Sequence, residues 1–96
     1  MTRYEFVARA HAEGYSPPKE VTFAPSTRSE PHTHDQLSFV YVVAGTFILN
    51  TDRAAPAYQP GETCLLDANV AHAEEAGPQG ATILVARKSG RVAETG

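Results

Sequence analysis

Two kinds of periodicity divide the chain. Near the start, Tyr4, Val7, Ala8 and His11 recur at helical spacing. Thr2 and Glu5 stand three apart in front of them, as a capping box requires, and Gly14 is a natural stop. This predicts a short helix over about residues 3–13. Pro17-Pro18 then breaks the chain, and the pattern turns β-like.

Glu20 to Ala24 alternates polar and apolar residues. Pro25 to Pro31, with two prolines, two serines and a threonine, reads as a loop. Leu37 to Val43 is rich in β-branched and aromatic residues, hence a strand. Gly45 marks a turn or bulge, Thr46 to Thr51 a further strand, and Asp52-Arg53 a hairpin tip. Further short strands are expected at Ala57–Gln59, Glu62–Leu66, Ala71–Glu74 and Ala81–Arg87. Turns at Pro60-Gly61, Asp67-Ala68-Asn69 and Gly77-Pro78-Gln79-Gly80 separate them. Ser89 to Gly96 is small and polar, a tail expected to fray. The expectation is one all-β domain over residues 1–96, a barrel or sandwich of about seven short strands over residues 20–87 with one helix.

The 96 residues suffice for one small domain. Net charge is −3 with the signs interspersed and no basic patch, which argues against nucleic acid as a partner. The longest apolar run, Phe39 to Ala44, is too short to span a bilayer. The N-terminus has no basic segment followed by an apolar stretch, and one cysteine, Cys64, cannot form an internal disulfide. A cytoplasmic protein with no membrane partner is expected. The outward residues Leu37, Phe39 and Tyr41 give their strand two apolar faces, so that a second protomer is one available cover and a homodimer is expected.

Three of the four histidines carry the candidate chemistry. On an extended chain His32 and His34 point to one face, with Cα atoms roughly 6.6 Å apart. Two imidazoles at that spacing can lean onto one metal ion, and a third ligand must come from elsewhere. His72, 38 positions after His34, can sit on a neighbouring strand and supply it. Parity puts Gln36 and Ser38 on the same face as the pair, and Glu74 on that of His72. Gln36 is a candidate oxygen ligand. Ser38 is better suited to hydrogen bonding. Glu74 is the candidate general base or orienter of a histidine. Asp35 points away. Cys64 reads as a small buried apolar residue, and His11 as an ordinary half-exposed side chain.

The spacing resembles the cupin superfamily. Its first motif has HxH, a glutamate four residues on, and a glycine seven after that. His32, His34 and Gly45 match, and Ser38 stands where the glutamate belongs. Its second motif is matched by Pro60-Gly61-Glu62 and His72, with Asp67 and Asn69 replacing a proline and a glycine. Asn tolerates the left-handed turn that glycine usually makes. His72-Ala73-Glu74 with Gly77 and Gly80 also resembles the short bacterial single-domain cupins. The resemblance implies a jelly-roll barrel, a double-stranded β-helix, around one divalent transition metal: Fe, Zn, Ni, Mn or Cu. It implies a small-molecule substrate or ligand handled by a metalloenzyme, dioxygenase-like or isomerase- or cyclase-like. Two other readings stand beside it. One is a small-molecule sensor, since "HTHDQLSFVYVVAG" is also similar to the ligand-binding half of AraC-type regulators. The other is a degenerate cupin that binds no metal.

Overall fold

A computed structural model describes residues 1–89. The seven residues beyond, which hold most of the expected tail, lie outside the described part, while Ser89 itself closes a strand. The helix α1 runs Arg3–Ala12, and five strands follow: β1 Lys19–Phe23, β2 Gln36–Asn50, β3 Ala57–Tyr58, β4 Thr63–Leu66 and β5 Ala73–Ser89. All pairings are antiparallel. The order across the sheet is β1-β5-β2-β3, with β4 also paired to β2.

The chain uses fewer and longer strands than its turn residues suggest. Gly45 does not end a strand, and the Gly77–Gly80 stretch is not a turn. Both lie inside β2 and β5, which pair along almost their whole length. The two irregular stretches face each other. Gly45 pairs with Ala81 and Phe47 with Ala76, so five steps along β5 (81 − 76) answer two along β2 (47 − 45). That surplus bends the pair, which lets two strands curl where several short ones were expected. Gly45 and Gly80 take left-handed φ of 74° and 81°. A Cβ on Gly45 would sit on the Gly80 carbonyl.

The inner face of the curled sheet holds one core, in which Val40, Val42, Phe47, Leu49, Ile83 and Val85 pack together. The outer face is covered from within the chain. Phe6 and Ala10 of α1, with Tyr15, pack on Phe39, Tyr41, Leu84 and Ala86. The Phe6 ring lies 4.6 Å from that of Phe39 and 5.4 Å from that of Tyr41. The capping box forms as expected, Thr2 Oγ1 accepting from Glu5 N–H and Glu5 Oε1 from Thr2 N–H. The buried helical face is not the expected one, because Tyr4 and Val7 are exposed. The largest apolar side chain, Phe6, sets the helix's rotation. With the helix in place, the apolar outer face no longer calls for a second protomer. Among the described residues, no helix is long and apolar enough to cross a membrane.

Candidate metal centre

His32 and His34 precede β2 on an extended segment, and His72 precedes β5. The backbones of His32 and His72 face each other and exchange two hydrogen bonds, His32 N–H to His72 O at 2.9 Å and the reverse at 3.0 Å. The turn before His72 is fixed by Asn69, whose φ of 63° is the left-handed conformation expected of it. Asn69 N–H donates to His34 O at 2.7 Å, which ties the second motif's turn to the first motif's second histidine. The three rings accordingly gather, with centroids 4.4, 4.9 and 5.2 Å apart.

The protons on two of these rings follow from their partners. Nδ1 of His32 lies 2.7 Å from Glu30 O, and Nδ1 of His72 lies 3.0 Å from Val70 O. A carbonyl oxygen only accepts, so each Nδ1 donates and each neutral ring's Nε2 presents a lone pair. The Nε2 atoms of His34 and His72 are buried and have no hydrogen-bond partner. Leaving one buried polar group unpaired costs about 1–3 kcal/mol. The Nε2 of His32 faces Glu74 Oε1 at 3.4 Å, a contact that either a proton or a metal cation shared by the two would satisfy. Candidate ligand atoms of His32, His34, His72 and Glu74 all lie within 4.8 Å of one another. Donors around one ion at about 2.1 Å can be no more than about 4.2 Å apart, so the widest gap has about 0.6 Å to close. Three imidazole nitrogens, two of them without a hydrogen-bond partner, and a carboxylate oxygen fit a divalent transition metal.

Ser38, where the motif has glutamate, is 2% exposed and accepts a hydrogen bond from Arg87 Nε at 3.0 Å. The carboxylate of the cluster comes instead from Glu74, on β5. Gln36 is exposed at the start of β2, opposite Ser89, and lines a cavity at the barrel rim together with Arg87. His11 is exposed on α1, outside the cluster, and Asp35 is exposed as expected.

Arg87 was not foreseen. A signal was available, since it continues the inward alternation of Ile83 and Val85 and so puts a cation inside the barrel. It pairs across the sheet with Ser38 and shares a small interior cavity with His34 and Glu74. That cavity measures about 10 Å³, room for about one water. Burial, and then the Arg87 guanidinium and the neighbouring imidazoles, push His34 below the ordinary histidine value against an upward pull from Glu74.

Residues 19–86 match the cupin domain. The chain belongs to the cupin family. Solved cupins share its fold. An RmlC-like cupin from Shewanella frigidimarina is 22% identical with a TM-score of 0.64, over 75% of this chain and 64% of that one. KdgF from Halomonas sp. is 23% identical with a TM-score of 0.60, over 76% and 68%. Oxalate decarboxylase from Bacillus subtilis, whose Mn(II) centres have been characterised, is 17% identical with a TM-score of 0.65, over 80% of this chain and 22% of that one. This chain thus spans about two thirds of the first two and under a quarter of the third. The comparison with curated proteins found no match.

Proposed function

We propose that this cupin is a metal-dependent enzyme that moves a proton on a small molecule, in the isomerase or lyase class. The observation that carries the reading is the pair of buried, partnerless Nε2 atoms of His34 and His72, facing His32 and Glu74. An unfilled cluster of this kind is unfavourable, so a metal-free cupin is the poorer account of these residues. A divalent ion held there by His32, His34, His72 and Glu74 would supply a Lewis acid for a substrate oxygen.

The chain's own residues do the rest. The Glu30 and Val70 carbonyls hold the rings of His32 and His72 in the tautomer that offers Nε2. The turn at Asn69 holds His34 against them. Glu74 presents a carboxylate, half-buried at the edge of the cluster, and takes the proton at an oxygen. The interior cavity is too small for a substrate, so the reacting molecule meets the cluster from outside that cavity.

Elemental analysis of protein purified without a polyhistidine tag tests the reading. About one transition-metal ion per chain is expected, lost in His72→Ala and retained in His11→Ala. Glu74→Gln, which leaves the three imidazoles in place, is expected to lower turnover while weakening metal binding modestly at most. A wild-type protein that holds no metal after reconstitution would overturn the proposal.

A further inference from the structure

The rim of the barrel carries a second polar feature beside the histidines. Between the Pro17-Pro18 arm and the start of β2 lies a cavity of about 460 Å³, lined by Lys19, Val21, Gln36 and Arg87 among others. Its volume falls in the range of small-molecule pockets. Its charge is one-sided. Lys19 and Arg87 line it and no acidic residue does, although the whole chain is net acidic at −3. Among the described residues neither cation forms an ion pair, while the exposed Arg3 and Arg9 each have a glutamate.

Arg87 also lines the interior cavity with His34 and Glu74. It therefore stands between the rim cavity and the metal cluster. Its Nε is committed to Ser38 Oγ, which fixes the guanidinium plane, and the rest of the fork is free of carboxylate partners. A planar fork held by a buried serine is preorganised for a carboxylate, which it can bind through two parallel N–H···O bonds. Gln36 adds a neutral amide to the same wall.

We propose that the rim cavity is the substrate pocket and that its ligand is a small carboxylate. Arg87 anchors the carboxylate end, Lys19 adds its charge at the opening, and the other end of the molecule reaches the metal cluster. This rests on the metalloenzyme reading for the role of the far end, but the anion site itself does not depend on a metal.

The test is calorimetric titration with succinate and with its neutral diamide, in metal-loaded and metal-free protein at low salt. Succinate is expected to bind at least tenfold tighter than the diamide in both forms, and to weaken as salt screens the two cations. Arg87→Ala is expected to lose at least tenfold in succinate affinity with metal content unchanged, and Arg87→Lys to recover part of it. Lys19→Ala, at an exposed position where folding is not at stake, is expected to lose severalfold. Equal binding of diacid and diamide, no succinate binding at millimolar concentration, or full affinity in both Arg87→Ala and Lys19→Ala would overturn the proposal. Succinate binding to a protein that takes up no metal would uphold the anion site and sink the metalloenzyme reading instead.

Discussion

Single residues around the centre do different work according to what their second polar atom touches. The Nδ1 atoms of His32 and His72 are occupied by carbonyls, so these rings have only Nε2 to offer. A bound metal then stabilises the fold through its binding free energy, since the unfolded chain has no such cluster. Chelation of a loaded sample is expected to lower the melting temperature by several degrees, as calorimetry would show. His72→Ala is expected to make the melt insensitive to the chelator. Cys64 is the contrasting residue. Burial pushes its thiol up to about 12 from an ordinary 9.0. The native state keeps this proton when the unfolded chain has lost it. Its contribution to stability is therefore complete below about pH 9 and falls as pH rises toward about 12. Denaturant titrations at about pH 8 and about pH 11 are expected to show a larger alkaline loss in wild type than in Cys64→Ala. At neutral pH, thiol reagents are expected to label Cys64 only as fast as the protein opens.

Among the elements, the paired long strands decide the shape. Ala at position 45 would have to adopt φ near 74° with its methyl group on the Gly80 carbonyl. Gly45→Ala is expected to cost about 2–4 kcal/mol, from left-handed strain and overpacking together. Phe6→Ala is expected to cost about 3–5 kcal/mol, because the ring is fully buried against Phe39 and Tyr41. Denaturant midpoints measure both. The helix, the strand-forming stretches and the meeting of His32, His34 and His72 were legible from periodicity and motif spacing. The continuity of β2 and β5 was not. Glycine and proline punctuate a sequence in the same way whether they turn a chain back or bend a strand that continues. The helix face was misread because Tyr4, Val7 and His11 keep helical spacing as well as Phe6 and Ala10 do. Only the aromatic sheet face beneath decides between the two stripes.

For the whole molecule, the position of α1 bears on self-association. The face of Phe39 and Tyr41 is covered by the chain's own helix, so these two rings are not free to face a second copy. Removing residues 1–14 would bare that face. The truncated protein is expected to gain mass in light scattering at micromolar concentration, through contacts that the full chain lacks. Cupin membership and the jelly-roll class follow from most of the length of the chain. The cationic rim depends on two side chains, Lys19 and Arg87, whose meeting needs the curl of the sheet.

The reciprocal backbone pairing of His32 with His72 also has a kinetic side. It closes a circuit of 40 positions (72 − 32), the kind of distant encounter that forms late because the intervening chain must first be ordered. An ion held by both residues acts after that encounter and resists its reversal. Metal is therefore expected to slow unfolding while leaving the refolding rate nearly unchanged, as stopped-flow measurements with and without the ion would show. The same pairing keeps the two imidazoles side by side whether or not an ion is bound, so that metal uptake is expected to need no change in backbone pairing.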